Sequence, residues 1–423
     1  MLDIKLIRKD PEFVRQCIKN KGESVQLDKV LELDNKHRQF LFEFEEKRKV
    51  QNAVSKEIAQ LKKQGKSADD QIAAMRNVAD ETKMIQQEIS KISEALDKEL
   101  FAIPNIFDES VPIGFDDSDN KFIREWGEKP TFDFQPLDHM QLAEKLGLLD
   151  FQRAAKIAGS GFPCYTGIGA QLERALINFM LDFHREVNGY KEIFPPFIAN
   201  RKTMTGTGQL PKLEFDMYHI DDDDLFLIPT GEVPLTNLHQ DEILQDDQLP
   251  IKYTTYTPCF RREAGSYGKD TKGLQRVHQF NKVELVQFVK PENSEEALQE
   301  ILSQAEAVLQ QLGLPYRVMQ LCSGDLSFAA YKCYDIEIWS AGLEKYLEVS
   351  SCSNFIDFQS RRAHIRFRSS QDGKVHYVHT LNGSGVATPR TMIALLENNQ
   401  TKKGEIVVPE VLRKYIGGRE KIV

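Results

Sequence analysis

From about Leu27 to Leu100 the chain places its apolar residues at alternating steps of three and four. The first arm carries Leu33, His37, Phe40, Phe44, Val54, Ile58 and Leu61 on this spacing, interrupted by Lys47 and Gln51. The second carries Met75, Val78, Thr82, Ile85, Ile89, Ile92 and Leu96. Sustained 3-4 spacing makes one apolar seam per helix, and such a seam is buried only against another helix. Gln64-Gly65-Lys66-Ser67 supplies the turn, glycine being the usual helix stop. The expectation is an antiparallel helical hairpin, because the connection is short. Arms of roughly 35 residues at 1.5 Å rise extend about 50 Å. Lys36, Arg38, Lys47, Arg48, Lys49, Lys56, Lys62, Lys63 and Lys66 concentrate in the first arm and the tip, with carboxylates interspersed. From the residues alone, the rod is a protein-binding or dimerisation element or an inert spacer, and the basic residues stand against both.

A second feature constrains chemistry. Phe260-Arg261-Arg262-Glu263 and Val277-His278-Gln279-Phe280-Asn281-Lys282-Val283-Glu284 read as two strands joined by the polar, Gly-rich loop Ala264 to Gln275. Strand side chains alternate between faces, so Arg261 and Glu263 share one face, as do Phe280 and Glu284. Phe280 and Glu284 stand roughly 13 Å apart, about the span from a stacked purine past a ribose and phosphate to a small acyl group. The alternative is an amphipathic hairpin with solvated charges. Further sheet strands are expected over Tyr253 to Glu263, Val277 to Val289 and Tyr346 to Ser351, and the acidic run Asp221 to Asp224 reads as a solvated hairpin turn without chemistry.

The length of 423 residues predicts at least two domains. Ile103-Pro104-Asn105 ends the second arm, and the Pro- and Asp-rich stretch 106–120 reads as a linker, giving an N-terminal domain over 1–105 and a second domain over 106–423. No apolar run approaches the ~18 residues of a membrane helix, and charge from the third residue excludes a signal peptide, so a cytoplasmic protein with no membrane partner is expected. Six scattered cysteines, none in a CxxC pair, fit reduced thiols and no zinc site. The net charge of −9 argues against wholesale DNA coating and leaves a local RNA surface open.

FRREAGSYGKDTKGLQRVHQFNKVE resembles motif 2 of the class II aminoacyl-tRNA synthetases in the form used by seryl-tRNA synthetases. Met1-Leu2-Asp3-Ile4-Lys5, Gly206 to Lys212 (GTGQLPK), Thr230-Gly231-Glu232, Glu348-Val349-Ser350-Ser351, and Leu381-Asn382-Gly383-Ser384-Gly385 with Arg390 and Glu397-Asn398 resemble other segments of that family, in the same order. Helix Ala170 to Val187 leading to Ile193-Phe194-Pro195-Pro196 resembles motif 1, the dimer-forming element, and Thr391 to Glu397 reads as the motif 3 helix. The likeness runs end to end. It implies an α+β fold, an antiparallel sheet flanked by helices plus the N-terminal coiled-coil arm, and a homodimer. Competing nucleotide signatures are absent. Gly268 to Gly273 has Walker spacing, but Leu274 stands where lysine is required; Gly167-Ile168-Gly169 lacks a third glycine; no HIGH-type class I signature occurs.

The resemblance implies a serine–tRNA ligase that activates L-serine with ATP and transfers it to tRNA(Ser), and to tRNA(Sec) where that exists, the arm gripping the long variable arm of the tRNA. It implies roles residue by residue. Arg261 bridges the serine carboxylate and the α-phosphate, the alternative being an ion pair with Glu263. Arg390 holds the γ-phosphate of a bent ATP. Glu348 and Ser351 ligate Mg²⁺. Phe280 stacks on adenine and Glu263 reads its amino group, within an ATP site completed by Arg262, Val277, Val349 and Ser350. Thr230, Gly231 and Glu232 bind serine's ammonium side, and Glu284 reads its hydroxyl with Asn382 and Ser384 nearby. Two departures stand out: Arg262 where the family often has serine, expected to face away, and Thr388-Pro389 where some members have Val-Gly, just before Arg390. His278 reads as structural. Other readings are a ligase that loads a carrier protein, which would not need the arm, and an inactive relative serving as a binding protein, against which the intact Arg261, Glu263, Glu348 and Arg390 stand.

Overall fold

The computed structural model describes residues 1–264 and 272–423. The rest of the Gly-rich loop between the two site strands, with the start of the Gly268 to Gly273 stretch, lies outside the described residues. The chain forms two compact units, one of Leu2–Lys19 with Glu23–Pro104, the other of Asn105–Val423 with Met1 and Asn20–Gly22. Among the described residues no helix is long and apolar enough to cross a membrane.

The first unit is dominated by two long helices, α1 (Leu27–Lys63) and α2 (Asp69–Phe101). Every seam residue named from the sequence is at least half-buried, and Thr82, Ile85 and Leu96 are fully so. The polar interruptions have partners across the seam. Lys47 pairs with Glu81, and Gln51 Nε2 donates to Thr82 Oγ1 at 3.1 Å. Such a pairing fixes register, since a slip of one turn would strand both groups. Gly65 takes φ +70° at the turn, a conformation open to glycine at little cost.

The second unit is built on an eight-stranded sheet. Its strands in chain order are β1 (Lys121–Trp126), β2 (Lys191–Glu192), β3 (Ile251–Phe260), β4 (Gln279–Val289), β5 (Tyr316–Gln320), β6 (Lys332–Ser340), β7 (Lys345–Ile356) and β8 (His379–Ala387), laid side by side as β1-β5-β6-β7-β8-β4-β3-β2. All neighbours are antiparallel except β2 and β3, which run parallel. Helices α3 (His139–Leu146), α4 (Gly167–Glu186), α5 (Glu232–Thr236), α6 (Ser294–Leu312), α7 (Phe358–Ala363) and α8 (Thr388–Asn398) flank it.

The amphipathic helices α4, α6 and α8 bury Leu172, Leu176, Met180, Leu298, Ile301, Ile393 and Leu396 in one core with Leu285, Ile336 and Leu381 of the sheet. Burying each of these side chains contributes about 1.5–3 kcal/mol. Local signals set the ends. Asp138 and Gln141 form a capping box on α3, and α6 begins with Glu295-Glu296 and stops at Gly313, φ +68°. Glu397 of α8 is spent on structure: fully buried, it accepts the His139 amide at 2.8 Å and faces its Nδ1 at 2.9 Å. The acidic run Asp221 to Asp224 is a turn between short strands, with Asp224 held by Arg201 at 2.8 Å.

One expectation needs correcting. The strand expected over Tyr253 to Glu263 stops at Phe260, and its partner starts at Gln279 rather than Val277. Glu263 has φ +52°, which ends extended backbone. Phe280 and Glu284 therefore share a strand face as expected, whereas Arg261, Arg262 and Glu263 lie beyond the end of β3.

Candidate active site

One cleft of about 440 Å³ opens over the sheet face that those core helices leave uncovered. It is lined by Thr230, Glu232, Arg261, Glu263, Val277, Phe280, Glu348, Val349, Ser351, Asn382, Ser384 and Arg390, residues drawn from six separated stretches of sequence. A second hollow of about 630 Å³ adjoins it and shares Glu348, Ser351 and Arg390.

Its inner end is a buried charge cluster. Glu284 is wholly buried, with Oε2 2.5 Å from the Lys282 ammonium. Lys282 also donates to Thr230 Oγ1 at 2.9 Å, and Asn382 Nδ2 donates to Glu284 Oε1 at 3.0 Å. Ser384 lies opposite Glu284 in the β8–β4 register. Glu232, the first residue of α5, accepts from Gln359 Nε2 at 2.6 Å; Gln359 is in turn fixed by Thr380, whose hydroxyl donates at 2.7 Å. Gly231 lets this turn approach the sheet, since a Cβ there would stand 2.8 Å from Thr255 Cγ2 and 3.1 Å from Glu284 Cβ. Burial and the Glu284 charge push the Glu232 carboxyl up to about 7, against the pull of Gln359, Lys282 and Arg261. Burial also raises the Glu284 carboxyl, opposed by Lys282 and Arg261. Two acids thus face two cations in a buried pocket, an arrangement whose charges suit a small zwitterion with a polar side chain.

Arg261 lies between this pocket and the outer cleft. Its amide donates to His278 O at 2.9 Å and its carbonyl faces His278 Nδ1 at 3.2 Å, which pins the chain just past β3. Its Nε donates to Pro229 O at 3.3 Å, and the guanidinium stands 5.2 Å from the Phe280 ring centroid. The alternative ion pair with Glu263 is not formed. Glu263 pairs with Arg276 at 2.9 Å, and Arg261 has no carboxylate partner among the described residues. Arg262 is not among the lining residues; its amide donates to Asp216 O at 3.1 Å. Ser350 sits beneath the floor, its hydroxyl donating to Ser384 O at 2.7 Å.

At the outer end, Arg390 donates from Nε to Gln275 O at 3.1 Å and from Nη1 to Glu348 O at 2.8 Å, with the Glu348 carboxylate 3.6 Å away. Glu348 and Ser351 are three residues apart and would face opposite ways on a regular strand. The β6–β7 register slips so that Ile336 opposes Ser350 and Glu337 opposes Glu348, leaving Val349 as the extra residue of a bulge. Both side chains therefore reach the cleft. Asp335, opposite Ser351, is half-buried, and desolvation with the Glu348 charge pushes its carboxyl well above the usual carboxylate range. Among the described residues no group of three or more His, Cys, Asp or Glu is placed to hold a metal unaided. Half-exposed Glu348 with the Ser351 hydroxyl is a hard-oxygen pair of the kind that suits magnesium, which takes carboxylate oxygens together with substrate phosphates and water.

Sequence reasoning missed Lys282, Gln359 and Arg276. Lys282 was accessible: it sits midway between Phe280 and Glu284 on the same strand face. Gln359 and Arg276 reach the site through tertiary contacts that carry no local signal.

Residues 214–399 match the family model for the tRNA synthetase class II core domain (G, H, P, S and T), and residues 1–107 match the seryl-tRNA synthetase N-terminal domain. The serine–tRNA ligase of Thermodesulfovibrio yellowstonii is 53% identical over 420 residues, 99% of each chain. That of Geobacter sulfurreducens is 52% identical over 422 residues, 100% of each. Among solved structures, seryl-tRNA synthetase from Pyrococcus horikoshii complexed with ATP superposes with TM-score 0.93 at 40% identity, covering 100% of this chain and 99% of that one. The cytoplasmic serine–tRNA ligase of Naegleria fowleri, in complex with AMP, gives 0.88 at 30% identity, covering 100% and 98%. With the cleft, the arm and these full-length likenesses in agreement, the chain belongs to the seryl-tRNA synthetase family of class II aminoacyl-tRNA synthetases.

Proposed function

We propose that this cleft runs the two steps of a serine–tRNA ligase. A serine carboxylate oxygen attacks the α-phosphorus of ATP, and the bond to the β-phosphate oxygen breaks to release pyrophosphate. A terminal ribose hydroxyl of tRNA(Ser) then attacks the acyl carbon of seryl-adenylate and AMP leaves. Neither step needs a protein nucleophile, so catalysis rests on positioning and charge stabilisation.

Arg261 contacts the serine carboxylate and the α-phosphate; its guanidinium fork suits both, and it is not engaged by a carboxylate among the described residues. Glu232 binds the serine ammonium, which favours its ionised form. Glu284, oriented by Lys282 and Asn382, accepts the serine hydroxyl, while Thr230, Gly231 and Ser384 shape the pocket. Phe280 stacks on adenine and Glu263, steadied by Arg276, reads its amino group; Val277 and Val349 complete the base and ribose wall, and Ser350 supports the floor from beneath through Ser384 O. Arg262 contributes through its backbone. Arg390 holds the γ-phosphate. Glu348 and Ser351 would hold Mg²⁺, which supplies charge neutralisation along the phosphates.

The arm grips tRNA. Lys56, Lys62, Lys63 and Lys66 near its tip make no ion pair among the described residues, and a stiff rod carrying these lysines suits the shape-based reading of an RNA duplex. The protein works as a homodimer through its motif 1 region, in the cytoplasm, and serylates tRNA(Sec) where it occurs. The observation that carries this reading is the buried Glu284–Lys282 pair, with Glu232 beside it, at the end of a cleft whose other walls are arginines and a half-exposed aromatic ring. The test is serine-dependent exchange of labelled pyrophosphate into ATP, followed by charging of total tRNA with a panel of amino acids. Serine alone should exchange, and only tRNA(Ser), and tRNA(Sec) if present, should be charged; absence of exchange with serine would refute the proposal.

A further inference from the structure

Glu173 lies on the apolar face of α4, among Leu172, Leu176 and Met180, where a leucine would continue the pattern. It is 4% exposed and makes no ion pair among the described residues. Burial alone lifts its carboxyl to about 7, against the pull of two hydrogen bonds. A group so costly to bury calls for a reason.

Those two bonds supply one. A single oxygen, Oε1, accepts from Asn281 Nδ2 at 2.7 Å and from the Thr388 hydroxyl in a short contact. The Asn281 amide is oriented from its other side by the Tyr256 hydroxyl, which donates to Oδ1 at 3.0 Å. The Thr388 hydroxyl also lies 3.1 Å from the Asn281 carbonyl. Asn281 stands between Phe280 and Lys282 on β4. Thr388 is the first residue of α8, and Arg390 follows two residues later. One carboxylate oxygen therefore ties α4, the strand that carries the base- and serine-facing side chains, and the first turn of the helix that carries Arg390. Its second oxygen has no hydrogen-bond partner among the described residues. The titratable groups facing it are the Tyr165 and Tyr256 phenols, both raised by burial and by the Glu173 charge.

We propose that Glu173, acting through the Thr388 hydroxyl, is a positioning residue for Arg390: it locks the first turn of α8 onto β4 and so fixes where the guanidinium meets the nucleotide's phosphates. The proposal rests on Arg390 as the γ-phosphate contact, and it gives the Thr388-Pro389 departure a role. A valine at 388 keeps the shape and removes the hydroxyl that joins α8 to Glu173.

The test is serine-dependent pyrophosphate exchange with full-length Thr388→Val, Thr388→Ser, Arg390→Ala and the Thr388→Val/Arg390→Ala double variant. Thr388→Val should raise KM for ATP about tenfold with KM for serine within twofold, and Thr388→Ser should restore the wild-type value. In the Arg390→Ala background Thr388→Val should add nothing, because its effect passes through the arginine. Glu173→Leu should reproduce the ATP effect, while Glu173→Gln, whose amide oxygen still accepts, should show a smaller one. An unchanged KM for ATP in Thr388→Val, or an equal effect in both backgrounds, overturns the proposal with the Arg390 role intact. An Arg390→Ala variant with unchanged ATP kinetics overturns both. Misfolding of Glu173→Leu leaves the decision to the Thr388 and Arg390 variants.

Discussion

Truncating Glu284 separates what the buried pair does for the fold from what it does for recognition. Glu284 has no exposure, the Lys282 side chain is 8% exposed, and their charges stand 2.5 Å apart. Glu284→Ala leaves the ammonium buried without its counter-charge, and breaking one partner of such a pair costs about 3–5 kcal/mol. Replacing both partners with apolar groups is often close to neutral, so Lys282→Met/Glu284→Ala should recover most of the lost stability. Recognition should not recover. A hydrogen bond to a charged acceptor contributes about 1.5–3 kcal/mol, which converts to roughly 10- to 150-fold in serine kcat/KM. Selection against alanine should fall further from its expected ~10⁴–10⁵, since alanine no longer strands an unpaired carboxylate. Thermal unfolding and pyrophosphate exchange with serine and alanine read both quantities, and KM for ATP should stay within about threefold. A folded double variant with wild-type serine kcat/KM, or an unchanged serine-to-alanine ratio, would refute the reasoning.

Other consequences follow from the same geometry. With the Glu232 carboxyl at about 7 in the empty cleft, and serine's ammonium favouring the ionised form, KM for serine should fall as pH rises toward 7 and level off above it; Glu232→Gln should flatten that dependence, and a KM that rises over this range contradicts the assignment. Chelating divalent metal should abolish exchange, and Glu348→Gln should raise the magnesium concentration for half-maximal activity at least tenfold; an unchanged requirement would remove Glu348 from the metal site. Deleting residues 27–100 should spare adenylate formation and abolish tRNA charging, and charging by the truncated protein would disprove the arm's role.

The arm was legible because a heptad seam is a local property: His37, Phe40 and Phe44 announce burial through spacing alone, and even Lys47 and Gln51 mark where partners are required. The face shared by Phe280 and Glu284 was legible for the same reason, since alternation needs only a continuous strand. Where the backbone departs from regularity, the pattern failed. Arg261 and Glu263 lie past the end of β3, where Glu263 takes a positive φ and pairs with Arg276 rather than Arg261. The pairing of Glu348 with Ser351 depends on the bulge at Val349, although their odd spacing hinted at it. Gln359, which orients Glu232 from more than a hundred residues away, left no trace in local sequence.

The claim on which the rest depends is that one end of the cleft takes a stacked base and the other a hydroxylated amino acid, with Arg261 at the junction. A crystal structure with a non-hydrolysable seryl-adenylate analogue measures this directly. The account predicts adenine against Phe280, the phosphate and acyl oxygens on Arg261, and the serine hydroxyl within hydrogen-bond distance of Glu284. An analogue bound with its hydroxyl away from Glu284, or with its base off Phe280, would contradict it.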